Sequence, residues 1–328
     1  MTRNFAITGV GGFVAPRHLK AISDTGHRLL AAVDSHDAVG ILDRYSFDVR
    51  FFTEIERFDR HLEKLRRQSE EERVHYVSIC SPNYLHDAHI RLALRVGAHA
   101  ICEKPLVINP WNLDALQELE HETGLRISTV LQLRVHPAVV AFREKLQRDL
   151  DKDQGRRYQV TLTYITARGR WYDVSWKGSE ERSGGIVTNI GIHFFDLLLW
   201  LFGGARKFEV HQRDAKQASG TLELEHADVR WFLSTESSDL PFTPVPGSKT
   251  THRSMTVDGE ELEFSDGFTD LHTLVYEGVL AGRGFGVGDA RPSIELTHRI
   301  RHAPITGRAD VTAPHPAARA PLAFFPKT

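Results

Sequence analysis

From Asn4 to Leu131, short apolar segments alternate regularly with longer amphipathic ones, and this alternation constrains the fold more than any other feature. The short segments are rich in β-branched residues and predict strands, and the segments between them predict helices. Strands spaced by helices of this length form βαβ units, whose parallel sheet is covered on both faces. This pattern predicts a complete doubly wound Rossmann domain of class α/β. The strands are expected at Asn4–Gly9, Arg28–Asp34, Val49–Thr53, Val74–Ser81, His99–Glu103 and Ile127–Leu131.

After Arg134 the pattern changes, so we place a domain boundary there and divide the chain into residues 1–134 and 135–328. A predicted helix, Pro137–Leu150, is followed by extended segments that alternate apolar and polar residues. Such alternation is typical of a mainly antiparallel sheet with one open face. The second domain is therefore expected to be an α+β domain, ending in a loosely ordered tail at 312–328. Its strands are predicted at Tyr158–Thr166, Phe208–Gln212, Gly220–Glu225, Val229–Ser234 and Ser254–Val257, and its later helices at His193–Phe202, Asp270–Ala281 and Ala290–Arg301.

The overall charge and the cysteine content exclude several classes of protein. Lys and Arg number 41 against 43 Asp and Glu, a net charge of −2 that gives no support for a nucleic-acid partner. The two cysteines, Cys80 and Cys102, favour the cytoplasm over a secreted disulfide scaffold. The longest apolar stretch, near Ile192–Phe202, contains His193 and Asp196, so we expect no membrane insertion. The amino-terminal residues show no signal-peptide core.

A glycine-rich turn follows the first predicted strand and precedes the first predicted helix. In a Rossmann domain this is where a dinucleotide pyrophosphate meets a helix amino terminus. The second strand ends in Asp34, whose carboxylate would bind the adenosine ribose diol and repel a 2′-phosphate, so NAD is favoured over NADP. A plain strand-to-helix turn is the alternative. The cofactor-binding residues expected here are Gly9, Gly11, Gly12, Phe13, Val14 and Asp34.

Two further motifs follow the fourth and fifth predicted strands, at the sheet edge where ligands of such folds bind. The first provides Ser81, Pro82, Asn83 and His86 as candidate cofactor contacts, although Asn83 could instead be a helix N-cap. The second is the sequence CEKPL at residues 102–106. Gln132, which closes the domain, is a further candidate for the cofactor side.

The Glu-Lys-Pro motif together with the nucleotide turn resembles the Gfo/Idh/MocA oxidoreductases. That family often carries a Gly-Gly-Gly…Asp-x-Gly-x-His-x-x-Asp run, to which the stretch SGGIVTNIGIHFFD at residues 183–196 is similar. Asn189 replaces the family's common Asp, which argues against a polyol-type Asp–His pair but leaves His193 in place.

The segments NYLHDAHI, ICEKPL, TYITARGRWYDVSWKG, TNIGIHFFD and FTDLH narrow the resemblance to the bacterial UDP-N-acetylglucosaminuronate (UDP-GlcNAcA) 3-dehydrogenases. The resemblance runs from Asn4 to about Arg301. It implies oxidation of the sugar 3-hydroxyl by NAD for surface-polysaccharide (lipopolysaccharide O-antigen) synthesis. It also implies reoxidation of bound NADH by 2-oxoglutarate, and a homotetramer paired through the open sheets.

Lys104 and His193 are the candidate catalytic residues. Oxidation of a secondary alcohol needs a base for the hydroxyl proton and a group that stabilises the developing alkoxide. By the resemblance, His193 is assigned as the base and Lys104 as the electrostatic partner, and the reverse assignment stays open. Glu103 is expected to orient the cofactor side rather than react.

The loop at residues 166–177 concentrates cations and aromatic rings in an otherwise neutral chain. Guanidinium and ammonium groups suit a carboxylate or pyrophosphate, and aromatic rings suit a sugar or uracil face. A solvated hairpin with ordinary surface charge is the alternative. Arg134 is a weaker candidate for the same cleft. The expected substrate contacts are Lys104, Arg168, Trp171, Trp176, Lys177, Asn189 and His193.

The chain contains 18 histidines, which raises the question of a metal site. His86 and His89, and His298 and His302, have helical spacing, but no further ligand stands at metal-site spacing, so no metal is expected. Three alternatives to the leading function remain: another sugar or polyol dehydrogenase, an NAD-dependent glycosidase, and a non-catalytic NAD-sensing scaffold.

Overall fold

A computed structural model describes residues 2–245, 249–264, 270–306 and 315–318. The first domain contains a sheet whose strands run in the order β3-β2-β1-β4-β5-β6, with every neighbouring pair parallel. This is the strand order of a complete doubly wound domain, so the predicted fold class is confirmed. The strands are β1 (Asn4–Thr8), β2 (Arg28–Val33), β3 (Arg50–Phe52), β4 (Tyr76–Ile79), β5 (His99–Cys102) and β6 (Ile127–Thr129).

Helices cover both faces of this sheet, mostly as predicted. They are α1 (Ala15–Asp24), α2 (Val39–Leu42), α3 (Ile55–Gln68), α4 (His86–Arg95) and α5 (Trp111–Thr123), with 3₁₀ turns at Asn83–Leu85 and Gln132–Val135. The helix expected between the second and third strands is reduced to α2. The reason lies in the preceding loop, where the carboxylates of Asp34 and Asp37 accept backbone N–H groups two residues further on and so favour turns over a helix.

The second domain begins with α6 (Pro137–Lys152) and builds a sheet in the order β12-β11-β7-β10-β9-β8. Its neighbouring pairs are antiparallel except β7 with β10, which confirms a mainly antiparallel sheet. Short helical segments at residues 170–190 were not predicted. The elements are β7 (Tyr158–Thr166), α7 (Arg170–Val174), α8 (Glu180–Ser183), a π-helical turn (Ile186–Ile190), α9 (Ile192–Phe202), β8 (Ala205–Arg213), β9 (Gln217–Leu224), β10 (Ala227–Ser234), β11 (Thr251–Val257), β12 (Glu260–Glu261), α10 (Leu271–Leu280) and α11 (Val287–His302).

One face of the second sheet packs on α9, and its alternate residues form the domain core. Leu162, Trp231 and Phe195 belong to this core and are fully buried. The other face carries half-buried polar side chains such as Thr161 and Arg230, as the alternating pattern predicted, and also a small apolar cluster in which Ile165 and Phe232 pack with Leu240. The segment 315–318 lies on that face: the His315 Nε2 is 3.1 Å from the Thr163 hydroxyl. The rest of the predicted tail, 312–328, lies outside the described residues.

The last two helices return to the first domain. On α10, Val275 and Tyr276 join the core around β1, and on α11, Val287 and Ile294 join the core on the other face of the same sheet. The cofactor domain is therefore completed by residues from near the end of the chain, and the boundary at residue 134 stays a prediction.

Among the described residues, no single helix is both long and apolar enough to cross a membrane. Glu180–Ile190 and Ile192–Phe202 pass such a test only as a pair bent by 43°, and the side chains of α9 pack in the core of the second domain.

Candidate active site

A cleft of about 1290 Å³ opens at the carboxyl edge of the parallel sheet and extends to β7 and β11 of the second domain. The structure brings to it nearly all the residues predicted from sequence. The exceptions are Trp171, whose side chain is half exposed, and the weaker candidate Arg134, and neither lines the cleft. The predicted residues that line it are Gly9, Gly11, Gly12, Phe13, Val14, Asp34, Ser81, Pro82, Asn83, His86, Glu103, Lys104, Gln132, Arg168, Trp176, Lys177, Asn189 and His193.

The glycine-rich turn forms one wall of the cleft, and its backbone lies against the end of β4. Gly9 has a φ of +72°, and a Cβ there would lie 2.6 Å from the backbone of Cys80 and Ser81. A Cβ on Gly12 would lie 3.0 Å from the Gly9 oxygen. The turn therefore requires glycine at Gly9 and leaves its backbone open to a ligand, which fits the pyrophosphate of a dinucleotide.

Asp34 lies at the end of β2 beside this turn. One carboxylate oxygen accepts the Gly11 N–H at 2.9 Å, and the other accepts the His36 N–H at 3.0 Å. A carboxylate has about four acceptor positions, so two remain for the hydroxyls of a ribose. Asp34 thus both shapes the turn and faces the cleft.

The segment after β4 holds the sheet edge together. The Asn83 amide donates to the Ser183 carbonyl at 2.9 Å and to the Asn189 Oδ1 at 3.2 Å, so it links the two domains. It caps no helix, and the N-cap alternative is wrong. His86 has no exposed surface, and its ring nitrogens lie 2.7 and 2.9 Å from the carbonyls of Pro105 and Ser81. His86 therefore bridges two loops at the cleft, and its contact with a cofactor stays a prediction.

Lys104 and His193 lie where the two domains meet. The Lys104 ammonium donates to the Asn189 carbonyl at 3.1 Å. Burial lowers the pKa of Lys104 from its ordinary value; the nearby Glu103 carboxylate opposes this effect, while Arg168 and Lys177 add to it. Burial is the main cause that holds the pKa of His193 well below its usual range, and the positive charge of Lys104 is the next largest.

Asn189 sits in the π-helical turn, close to Lys104 and below α7. Its amide donates to the Tyr172 hydroxyl at 3.0 Å, and its Oδ1 accepts from Asn83. Within the described residues it makes no hydrogen bond to His193, in keeping with the loss of an Asp–His pair. Its place is in the cleft floor, where it positions Lys104 through its own backbone carbonyl.

The opposite wall of the cleft is cationic and aromatic. Arg168 lies with its guanidinium carbon 6.0 Å from the Tyr172 ring centroid, and the Lys177 ammonium lies 4.5 Å from the Trp176 ring centroid. Such stacking holds long side chains extended without neutralising them. Trp171 packs against Tyr172 at 5.9 Å and so supports this wall from outside.

Several residues that line the cleft were not predicted: Tyr164, Thr166, Tyr172, Lys249, Thr250, Thr251 and Arg253. Most come from β7 and β11, which pair with Arg253 opposite Tyr164. Alternation along each strand could show which residues share a face, but not that these two strands are neighbours. Tyr172 could have been predicted, because it belongs to the cationic and aromatic loop at residues 166–177.

Arg134 does not face the cleft, which corrects the weaker prediction made for it. Its guanidinium forms a buried bidentate pair with Asp196, at 2.7 and 3.0 Å, and also reaches Asp289. A planar guanidinium forms two parallel charge-assisted hydrogen bonds with a carboxylate, and this pairing directs the Arg134 side chain to Asp196 instead of to the cleft.

Comparison with known proteins agrees with this geometry. Residues 3–130 match a family model described as "Oxidoreductase family, NAD-binding Rossmann fold", and residues 155–265 match its C-terminal alpha/beta domain. Among curated proteins, inositol 2-dehydrogenase of Rhizobium meliloti is 28% identical over 62% of this chain and 56% of its own length. D-glucoside 3-dehydrogenase of Escherichia coli is 28% identical over 39% of this chain and 35% of its own length. The chain thus spans less than two thirds of these curated relatives.

Solved structures give a more extensive likeness. The WlbA (WbpB) dehydrogenase of Thermus thermophilus in complex with NAD and UDP-GlcNAcA is 49% identical, with a TM-score of 0.88 over 96% of this chain and 99% of that one. The same enzyme with NAD and alpha-ketoglutarate gives 51% identity and a TM-score of 0.87 over 94% and 97%. WlbA of Bordetella pertussis, at 19% identity and a TM-score of 0.72 over 92% of this chain and 95% of that one, shares the fold.

The two family models together cover most of the chain, and the domains that they match lie on either side of the cleft described above. The chain therefore belongs to the Gfo/Idh/MocA oxidoreductase family, with an NAD-binding Rossmann domain and NAD as its cofactor.

Proposed function

We propose that this protein oxidises the 3-hydroxyl of UDP-GlcNAcA to the 3-keto sugar. The observation that carries the proposal is the meeting of Lys104 and His193 between a backbone wall suited to a dinucleotide and a cationic wall suited to an anionic sugar nucleotide. The likeness to a Thermus thermophilus dehydrogenase crystallised with NAD and UDP-GlcNAcA supports it.

The residues of the first wall fit NAD. The close approach of Gly9 to the end of β4 makes room for a pyrophosphate, and Asp34 offers free acceptor positions for a ribose diol while repelling a 2′-phosphate. Ser81, Pro82 and Gln132 line the same part of the cleft. When bound, NAD supplies a nicotinamide ring that accepts a hydride.

The second wall fits the negative charges of a UDP-uronate. Arg168, Lys177, Lys249 and Arg253 provide cations on the second-domain side, whereas the carboxylates that line the cleft lie on the first-domain side. A uronate carboxylate and a pyrophosphate are both bound well by guanidinium and ammonium groups. Trp176 offers an apolar ring face to a sugar or to uracil.

The two catalytic residues divide the proton chemistry between them. Burial keeps the His193 imidazole neutral near pH 7, so it is ready to accept the proton of the sugar hydroxyl. Lys104, held by the Asn189 carbonyl, places its ammonium where it stabilises the oxygen as that oxygen gains negative charge. The carbon-bound hydrogen leaves as hydride, and the C–O bond becomes a carbonyl.

The same cleft is proposed to bind 2-oxoglutarate, which would reoxidise NADH and become 2-hydroxyglutarate with uptake of one proton. Two carboxylates of a small diacid fit the same cations that would bind the uronate. The complex of the Thermus thermophilus enzyme with alpha-ketoglutarate supports this step.

The assembly proposed is a homotetramer in the cytoplasm, serving the synthesis of surface-polysaccharide sugars. Two buried free cysteines suit a reducing compartment. The second sheet leaves half-buried side chains such as Thr161 and Arg230 outside its own core, and pairing of this face between subunits would bury them. Light scattering that gave a stable monomer would contradict the tetramer.

The function is tested with purified protein, NAD and UDP-GlcNAcA, following NADH at 340 nm with and without 2-oxoglutarate. We expect 3-keto product by mass spectrometry, and turnover that continues only while 2-oxoglutarate is present. UDP-GlcNAc, myo-inositol and a chromogenic N-acetylgalactosaminide serve as comparison substrates. Faster reaction with UDP-GlcNAc or inositol, or release of the chromophore, would overturn the assignment.

A further inference from the structure

A buried polar cluster lies directly behind the catalytic lysine. The Oε1 atom of Glu103 is 3.0 Å from the Nε2 of His18 and 3.0 Å from the Nε2 of His272. His18 and His272 are almost completely buried, and the Glu103 side chain is 10% exposed. A carboxylate oxygen only accepts, so each imidazole must carry its proton on Nε2.

Two further side chains extend the cluster. The Tyr276 hydroxyl is 2.7 Å from the His18 Nδ1 and 2.6 Å from the Ser78 hydroxyl. With the proton of His18 on Nε2, its Nδ1 accepts from Tyr276, and the oxygen of Tyr276 accepts from Ser78. Every proton in this chain of hydrogen bonds therefore points toward the Glu103 carboxylate.

Among the described residues, Glu103 is the hydrogen-bond partner of the second histidine, His272. The Nδ1 of His272 has no hydrogen-bond partner among the described residues, although it is buried. A buried nitrogen without a partner costs stability. Of its two ring nitrogens, Nε2 is the one with a partner among the described residues, which points to the Glu103 contact as the role of His272.

The cluster acts on the part of Glu103 that faces the cleft. The other carboxylate oxygen, Oε2, accepts the backbone N–H of Lys104 at 3.3 Å, and Glu103 lines the cleft. Burial alone would raise the pKa of Glu103, but the hydrogen bonds from His18 and His272 hold it well below its usual range. The carboxylate in turn counteracts the cations that favour loss of a proton from Lys104.

We propose that His18, His272 and Tyr276 are positioning residues for the dehydrogenation, which hold Glu103 ionised and in one orientation so that Lys104 keeps its ammonium in place. The proposal rests on the proposed function and extends it to residues outside the cleft surface. None of the three is reached by substrate or cofactor, because all are buried behind Glu103.

Three side chains of the cluster, those of His18, Glu103 and His272, are also of types that bind metal ions. Their ligand atoms lie within 4.8 Å of one another. A metal would have to displace the Nε2 protons that serve Glu103. The hydrogen bonds account for the cluster without an ion, so a stoichiometric metal in the purified protein would overturn the proposal.

The titratable groups that face Glu103 come from several elements. They are His18 on α1, Cys80 after β4, His86 on α4, Cys102 on β5, Lys104 beside it, His193 on α9, and His272 and Tyr276 on α10. Among these groups, those on α1 and α10 are the ones whose side chains take part in the hydrogen-bonded series that ends at the Glu103 carboxylate.

The sharpest test is Tyr276→Phe, which removes one hydroxyl that does not touch Glu103. His18 then loses the donor that fixes its tautomer, and Glu103 loses a dependable hydrogen bond. We expect kcat to fall about tenfold with the KM values nearly unchanged, and the acid limb of the kcat profile to move up by about one pH unit. Tyr45→Phe is the matched control, because the Tyr45 hydroxyl donates to the Pro16 carbonyl away from the cluster.

A second pair of variants separates positioning from packing. His272→Gln can place an amide N–H where Nε2 stood, whereas His272→Leu fills the volume without a donor. We expect Gln to restore most of kcat and the native pH profile, and Leu to lose both. Equal profiles in folded Gln and Leu variants, or a native profile in Tyr276→Phe, would overturn the proposal.

A measurement that needs no sugar substrate distinguishes this proposal from the proposed function. In protein labelled with [15N]histidine, His18 should show the neutral Nε2–H tautomer between about pH 6 and 8, and His272 should show a proton on Nε2. In Tyr276→Phe the His18 signal should move toward a mixture of tautomers. If the native protein oxidises no sugar nucleotide, the proposed function fails on its own; if these tautomers are absent, the network fails.

Discussion

The two walls of the cleft differ in both charge and construction. The first-domain wall is built from backbone and from carboxylates whose oxygens are already hydrogen-bonded, as in Asp34 and Glu103. The second-domain wall is built from long cationic side chains, such as Arg168 and Lys177, supported by aromatic rings. The first wall is held by backbone contacts and hydrogen bonds and fits one ligand, NAD. The second can be altered one side chain at a time, which is where substrate choice would be expected to change.

The largest effect is expected at the junction of the walls. Lys104→Met keeps most of the apolar stem and removes the ammonium, and His193→Ala removes the proposed base. Each should lower kcat at least about 100-fold while NAD still binds, because a positioned acid or base contributes that much to proton transfer. Stopped-flow NADH formation together with NAD titration measures both quantities, and unchanged turnover in either variant would refute the assignment.

A smaller but still large effect is expected from Gly9→Ala, which tests whether the first wall is made of backbone. The new Cβ would lie 2.6 Å from the backbone after β4 at a φ of +72°, so the turn must move. We expect a loss of about 2 kcal/mol in unfolding free energy and NAD binding weakened at least tenfold. Gly26→Ala, also at positive φ but with nothing within 4 Å, separates backbone strain from the clash.

On the second wall, Arg168→Ala should raise the KM for the sugar nucleotide about tenfold and leave NAD affinity unchanged. The charge removed faces the cleft from the second domain, and within the described part of the chain it forms no ion pair that the fold would lose. Arg57→Ala, which removes an exposed arginine paired with Glu54 on the first domain, is the matched control. Weaker NAD binding in Arg168→Ala would mean that the walls are not separate.

The smallest expected effect is the position of the acid limb in the native enzyme. Burial and then Lys104 lower the pKa of His193, so the neutral base persists as pH falls below 6.5. An imidazole of ordinary pKa would be only about one quarter neutral at pH 6. We therefore expect kcat/KM at pH 6 to remain close to its value at pH 7.5, and a fourfold fall would show that His193 is not shielded.

The contrast between the walls also explains what could be predicted from the sequence. Gly9, Asp34 and Glu103 each stand at the end of a strand, and parallel topology brings strand ends to one edge. Local patterns therefore located the glycine-rich turn and the strand ends of the first wall, although unpredicted residues such as Arg17, His36 and Asp37 also line it. The fold class followed from the same alternation of strands and helices.

The second wall depends on contacts that no local pattern contains. Arg253 reaches the cleft because β11 pairs with β7, and alternation does not show which strands are neighbours. Arg134 was expected in the cleft because its partner Asp196, 62 residues away, could not be recognised as such. His272 likewise stood in the segment FTDLH, but nothing in the sequence showed that its imidazole lies beside the Glu103 carboxylate.

The return of α10 and α11 to the first domain has a consequence for the order in which the protein forms. Val275, Tyr276 and Ile294 complete the cores beside β1 and β4, yet they are synthesised after the whole second sheet. During translation, the cofactor domain would wait with part of its apolar surface uncovered until these helices leave the ribosome. A nascent chain stalled before residue 271 should therefore bind chaperones and fail to retain NAD, even though its glycine-rich turn was made first.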